Sequence, residues 1–330
     1  MEKTREEYTK SINEGVAQRE AVEKAVAEIY KKGCKNVFLV GCGGSLAVMS
    51  PMRYFIEKYS ELPVYEFNSN EFVHMKPRQF CSESMFITSS YTGTTPETVA
   101  AAQYAKETGA HIIAFTGNLE SPLAQTADYS FSCGSKLIIM YQIIFYMLRL
   151  HGDFDQYEEM QDILSKIADE MYDAKLAAED KAKEFAKTYK DEKFFFVTGS
   201  GAGYGECYTY GNCILEEMQW IYAHPVHAGE FFHGAFEMLT EESPIIVLQG
   251  EDATRPLSDR VLSFAKRYTK KIIHVDTAEY ADQMPSVKGI FREVFTPFML
   301  TEILAVYSYE LSVIRNHPLK TRRYMFKVEY

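Results

Sequence analysis

The chain has 330 residues, 46% of them hydrophobic and 25% charged, with a formal net charge of -11. That length suits two domains of ordinary size, and the apolar content can fill a core in each. The acidic balance argues against a nucleic-acid surface, and the longest apolar stretch, LIIMYQIIFYML from Leu137, is too short to cross a bilayer, so neither nucleic acid nor membrane is expected as a partner.

The opening residues, MEKTREEYTKSINEG, are charged and lack the apolar run of a secretory signal. The six cysteines (Cys34, Cys42, Cys81, Cys133, Cys207 and Cys213) are scattered without paired metal-ligand spacing. Together these features predict reduced thiols and a cytoplasmic location.

Residues 3–31 carry helical periodicity and mixed charge and form a lead-in helix. Strand and helix signals then alternate. Strands are predicted over 36–40, 63–67, 85–89, 111–116 and 127–132, and helices over 52–58 and 96–107. Pro96 suits the first position of its helix, where the missing N–H costs nothing. The alternation implies a parallel sheet covered by helices on both faces. Residues 155–189, rich in Ala, Glu, Asp and Lys, read as one or two amphipathic helices connecting two domains, 1–154 and 190–330. The plan then restarts. A strand over 194–198 runs into the turn GSGAGYG, and a helix follows through CYTYGNCILEEMQWIY. Strands over 244–249 and 271–276 flank a helix over 256–268, and a last helix covers 297–310. The second half reads as a repeat of the first α/β module.

Two turns carry the chemistry of the first half. VFLVGCGGS ends at Ser45, and MFITSSYTGTTPET contains Ser90, Thr92, Thr94 and Thr95. Each follows a buried strand and opens a helix. Backbone N–H groups and short hydroxyl donors there suit a phosphate on a small polar molecule. Neither glycine turn is a dinucleotide fingerprint, since the sixth position from Gly41 is Leu46 and from Gly199 is Tyr204. No Gly-Lys-Ser or Gly-Lys-Thr of a P-loop occurs.

The second half contributes LEEMQWIYAHPVHAGEFFHGAFE, which gathers Glu216, Glu217, Glu230 and Glu237 with His224, His227 and His233. Carboxylate and imidazole move protons at neutral pH. Helical spacing puts Cys213, Ile214 and Trp220 around Glu217, which suggests a partly buried carboxylate with a raised pKa. A metal site of His224, His227, Glu230 and His233 is disfavoured, because Pro225 interrupts the helix and no zinc spacing is present. His224, just before Pro225, is placed in a turn. The tail TRRYMFKVEY is basic and aromatic, and its apolar residues suggest that it docks and carries Lys327 toward a site.

The turns GCGGS and SSYTGTTPET, with SPLAQTADYSFS, resemble the sugar isomerase (SIS) domain. LEEMQWIYAHPVHAGEFFHG and RNHPLKTRRYMFKVEY resemble the fructosamine-6-phosphate deglycases, including those acting on fructoselysine 6-phosphate. Their relative is the isomerase half of glucosamine-6-phosphate synthase. The resemblance implies two tandem SIS domains, each a five-stranded parallel sheet flanked by helices, in a homodimer with sites at the subunit interface. It implies a sugar-phosphate substrate and no cofactor or metal. Its phosphate-binding positions fall on Gly43, Ser45, Ser90, Thr92 and Thr95. Its catalytic positions fall on Glu217 and His233, with the synthase's C-terminal lysine matching Lys327.

Two departures bear on the substrate's non-phosphate end. Ala235 stands where the synthase and many deglycases have proline after the His-Gly pair, and residues 133–142 look shortened beside the family's loop. The implied reaction is cleavage of a 6-phosphorylated fructosamine to glucose 6-phosphate and free amine. The alternatives are a sugar-phosphate isomerase using the same glutamate, a non-catalytic sugar-phosphate sensor, and a metal-dependent hydrolase. The amine, and whether the adduct is fructosyl or glucosyl, stay open.

Overall fold

The computed structural model describes residues 3–132, 136–325 and 327–329. The chain divides into two compact units, one spanning Glu6–Ala168 and one formed by the chain from Asp169 onward together with the described residues up to Arg5. Arg5 is tied to the second unit by ion pairs to Asp169 at 3.2 Å and to Asp173.

The lead-in region of the first unit is two helices, α1 (Arg5–Val16) and α2 (Arg19–Lys32), which divide after Val16. There follow β1 (Asn36–Gly41), the single turn α3 (Gly44–Ala47), α4 (Ser50–Tyr59), β2 (Val64–Asn68) and α5 (Ser69–Met75). Next come β3 (Ser84–Ser89), α6 (Pro96–Thr108), β4 (His111–Thr116), α7 (Pro122–Thr126), β5 (Tyr129–Ser132), α8 (Lys136–His151) and α9 (Tyr157–Leu164). Helix α5 has no counterpart in the sequence reading. It is short and is started by Asn68, whose side chain accepts from the N–H groups of Asn70 (2.9 Å) and Glu71 (3.4 Å).

The first sheet is parallel throughout, in the order β2-β1-β3-β4-β5. Its inner strands are buried on both faces, which explains their continuous apolar runs. Phe38, Val40 and Phe86 pack on one side with Phe72, Ala101 and Ala105. Leu39 and Ile87 face the other way, toward Met49, Met52 and Ile143. Helix α8 contains the apolar stretch from Leu137, and eleven of its residues are buried.

In the second unit α10 (Ile167–Tyr189, its first two residues in the first unit) leads to β6 (Phe194–Gly199). A short helix, α11 (Tyr204–Tyr208), continues as a π-helix over Thr209–Met218. Then follow β7 (Tyr222–His227), β8 (Ile245–Gln249), α12 (Arg255–Tyr268), β9 (Ile272–Asp276), α13 (Phe291–Val294) and α14 (Thr296–Ile314). Phe196, Ile245 and Val247 pack against Val261 and Ala265 of α12. Helix α14 is long and apolar enough to cross a membrane by length and composition, but 61% of that stretch is buried inside the protein, as befits a core helix.

Two expectations are corrected here. The second sheet has four strands among the described residues, not five, in the order β7-β6-β8-β9 and all parallel. After β9 the Asp276 carboxylate accepts the Ala278 N–H at 2.9 Å and starts a 3-10 turn over Thr277–Tyr280. The next residues, 281–290, contain Pro285 and a left-handed Gly289 and form turns up to α13. The helix predicted through Tyr222 stops earlier, and His224 lies in strand β7 rather than in a turn. Pro225 is tolerated because β7 is an edge strand, where a missing N–H leaves no ladder bond unmade.

Candidate active site

In the first unit the strand order reverses between β1 and β3. The chain leaves β1 toward β2 and leaves β3 toward β4. Open parallel sheets bind ligands in the crevice at such a reversal, beyond the C-terminal ends of the strands. Gly41 and Ser89 are register partners at those ends, so the two hydroxyl- and glycine-bearing turns emerge side by side.

The first turn presents Gly43, exposed and left-handed at φ 53°, and Ser45, half-buried with its N–H donating to Cys42 O at 3.1 Å. The second turn is braced internally. Ser90 is buried, and its hydroxyl lies 2.8 Å from that of Thr95. The Gly93 N–H donates to Ser90 Oγ at 3.2 Å, and Thr92 Oγ1 accepts from the N–H (3.2 Å) and hydroxyl (2.9 Å) of Thr94. Gly93 is obligatory: at φ +68°, a Cβ there would lie 2.0 Å from Ser121 Oγ. Thr95 is the N-cap of α6 but its side chain caps no N–H, and Pro96 follows. The first-turn amides of α6 therefore carry partial positive charge that the Thr95 side chain does not cap. The structure thus brings Gly43, Ser45, Ser90, Thr92 and Thr95 onto two adjacent turns.

The corresponding reversal in the second sheet, between β6 and β8, is already filled. Asp252, buried, accepts from the Ala202 N–H (3.2 Å), the Thr254 N–H (2.7 Å) and the Thr254 hydroxyl (2.5 Å). Gly201 is left-handed here, and a Cβ on it would meet Asp252 Oδ1 at 2.6 Å. The turn GSGAGYG thus shares a left-handed glycine with the first turn, and the chain's own Asp252 carboxylate takes up its Ala202 N–H.

Glu217 stands near the end of the π-helix in the second unit. The wider winding is visible in the Gln219 N–H donating to Ile214 O at 2.9 Å, and it changes which residues neighbour Glu217 from those that 3.6-residue spacing gives. Gly211 lets this helix close on β7, since a Cβ there would meet Pro225 Cβ at 3.0 Å. The helix ends at Met218, and Trp220 just beyond it is left-handed at φ 56°. Glu216 is engaged structurally and accepts the Ala223 N–H at 3.1 Å.

Glu217 lines a cavity of about 530 Å³ whose wall includes Trp220, Tyr222, Arg322, Arg323 and Tyr324. Its Oε1 lies 2.8 Å from Arg322 Nη2, with both side chains largely buried. Arg322 is fixed by its own segment, donating from Nη1 to the carbonyls of Leu319 (2.8 Å) and Thr321 (2.9 Å). Burial pushes the Glu217 carboxyl above the usual carboxylate range, and the Arg322 charge pulls partly against that rise. The result is a partly desolvated carboxylate with one oxygen held by a cation, an arrangement suited to a general base.

The other proposed catalytic residues are placed differently. Lys327 is exposed, and its Nζ donates to Arg322 O at 2.5 Å, one residue removed from the Glu217 ion pair. His233 is exposed at the end of a 3-10 turn over Phe231–His233 and does not line the Glu217 cavity. Ala235 opens the next 3-10 turn, over Ala235–Met238, behind Gly234 at φ 144°. The tail does dock, with Tyr324 and Met325 in the cavity wall, while Phe326 and Cys133 lie outside the described residues. Arg322 and Arg323 are functional candidates that local reading missed. The only local hint was a pair of arginines beside aromatic residues.

The disfavoured metal cluster does not assemble. His224 packs edge-on to Phe196, and His227 Nδ1 accepts the Gly229 N–H at 3.1 Å while its ring meets Tyr204. No group of three or more His, Cys, Asp or Glu among the described residues could hold a metal ion.

These two turns lie within a sugar isomerase (SIS) domain, whose family model matches residues 29–143. Over 320 residues the chain is 39% identical to the fructosamine deglycase FrlB of Bacillus subtilis (strain 168), covering 94% of this chain and 97% of that one. It is 23% identical over 309 residues to the fructoselysine 6-phosphate deglycase of Escherichia coli (strain K12), covering 92% and 89%. A solved structure from Bacillus subtilis, a candidate phosphosugar isomerase, superposes with a TM-score of 0.89 at 37% identity over 95% of this chain and 100% of that one. The chain belongs to the fructosamine deglycase family of enzymes.

Proposed function

We infer that this enzyme cleaves a 6-phosphorylated fructosamine to glucose 6-phosphate and a free amine. The observation that carries the reading is the Glu217 carboxylate, half-buried on a cavity with one oxygen fixed by Arg322 at 2.8 Å. The C6 phosphate docks on the Ser90–Thr95 turn with help from Gly43 and Ser45. Glu217 takes a proton from C1 and returns it to C2, while the amine N–H proton passes to the C2 oxygen. The amino-ketone thereby becomes an enaminol and then a C1 imine of glucose 6-phosphate. Water adds to the imine carbon and the C–N bond breaks, releasing the amine. The C2 carbonyl is the electron sink, so the chain needs no cofactor for this step. His233 handles the ring-oxygen proton during ring opening, supplied by the partner subunit of a homodimer. Its exposure in the single chain supports that reading. Lys327 adds positive charge near the developing enolate. The second half completes a tandem SIS pair, and the enzyme works in the cytoplasm.

The test is release of glucose 6-phosphate and amine from a panel of 6-phosphorylated fructosamines by the purified protein. A second reading, aldose–ketose isomerisation of a free sugar phosphate, is favoured by the similarity to a candidate phosphosugar isomerase. Silence across the panel with hexose-phosphate interconversion in its place establishes that reading instead.

A further inference from the structure

If Glu217 works on C1, the nitrogen bonded to C1 and everything attached to it lie beside Glu217, since a general base acts within about 3 Å of its proton. The phosphate is at the opposite end of the sugar, on C6. The cavity around Glu217 is therefore where the amine is read. At about 530 Å³ it has room for an amino acid beyond the reacting carbons.

Four charged side chains line this cavity. Three are committed: Glu216 to the Ala223 N–H, and Glu217 and Arg322 to each other. The fourth is Arg323. Its guanidinium carbon lies 4.3 Å above the Trp220 ring, and it has no carboxylate partner among the described residues. Trp220 is itself steadied from its other contact by His317, with ring centroids 4.6 Å apart. Stacking on a ring face orients a guanidinium while leaving its edge of N–H donors available, and that edge matches a carboxylate with two parallel hydrogen bonds. The remaining wall is apolar and mostly aromatic: the exposed Trp220, Tyr222 and Tyr324, with Ile221 and Met325.

We propose that Arg323, stacked on Trp220, holds the carboxylate of the substrate's amine half and sets how strongly the enzyme prefers an adduct that carries one. This rests on the deglycase reading and names a specificity-determining residue for it. The carboxylate, not the side chain, is the anchor: an aromatic wall with one guanidinium discriminates charge at that end more sharply than side-chain size.

The experiment compares two 6-phosphofructosyl adducts of matched size, glycine and glycinamide, in the intact protein and in R323Q and R323K, with thermal melting as a check on folding. The intact protein should prefer the glycine adduct by at least about tenfold in kcat/KM, R323Q should bring the ratio near one, and R323K should restore part of it. Equal turnover of both adducts by the intact protein, or an unchanged ratio in a folded R323Q, overturns the subsite and leaves the deglycase reading standing. Absence of glucose 6-phosphate from both adducts overturns the deglycase reading itself.

Discussion

Arg322 Nη2 lies 2.8 Å from Glu217 Oε1, joining the segment after α14 to the end of the π-helix. The pair sets two opposed effects on one carboxylate. Burial disfavours its charge and the guanidinium favours it. A base must be ionised to act, so activity should fall as pH drops through the Glu217 pKa, and that limb should lie above the ordinary carboxylate range. Removing the cation in R322Q leaves burial unopposed and moves the limb to higher pH. Activity at pH 6 should then fall more than at pH 8. The kcat/KM profile checks this, and a limb that stays in place or moves down contradicts the pairing.

Glu217→Gln keeps the size of the side chain and removes its basicity. General acid–base steps contribute about 10²–10⁴-fold, so kcat should drop by at least that factor. Inhibition by glucose 6-phosphate should persist, because the Ser90–Thr95 turn proposed to hold the phosphate is not in the unit that carries Glu217. Near-normal turnover defeats the assignment.

Gly93 and Gly43 are both left-handed but differ in their surroundings. A Cβ at Gly93 meets Ser121 Oγ at 2.0 Å, whereas one at Gly43 meets nothing within 4 Å. Gly93→Ala should cost about 1–3 kcal/mol for overpacking beyond the about 1–2 kcal/mol of the left-handed backbone, and should weaken inhibition by inorganic phosphate. Gly43→Ala should cost only the backbone part. Urea denaturation distinguishes them, and equal losses refute the packing argument.

Asp276 is an acid–base probe of the second unit. Burial works against its charge, but hydrogen bonds from Arg255 (2.9 and 2.6 Å) and the Ala278 N–H outweigh it and hold the carboxyl below its usual range. The folded pKa is the lower one, so the contribution is full above the unfolded value near 4 and is lost as pH falls through the folded value. Asp276→Asn should destabilise by about 1.5–3 kcal/mol at neutral pH, and the difference should shrink in acid. A gap that widens toward low pH reverses the sign and rejects the pairing.

Much of the fold was legible because its signals are local. Strand β4 was read over 111–116, and α6 from Pro96, since apolar runs and a first-position proline act within a few residues. Among the elements that escaped, two did so for equally local reasons. Helix α5 is too short to show periodicity, and β7 reads as a turn because it carries two histidines and a proline. The expected fifth strand of the second sheet came from resemblance rather than from residues, and 281–290 turn instead.

The sequence by itself determined the parallel α/β plan, the hydroxyl-bearing turns and the candidate glutamate, because strand runs, glycine turns and a carboxylate on an apolar helix are written in neighbouring residues. Tertiary structure alone decided three things: that Arg322 rather than Lys327 reaches Glu217, that Asp252 fills the second sheet's crevice, and that Arg323 lies over Trp220. Each joins residues distant in the chain, and no local spacing encodes a contact that exists only once both segments have packed.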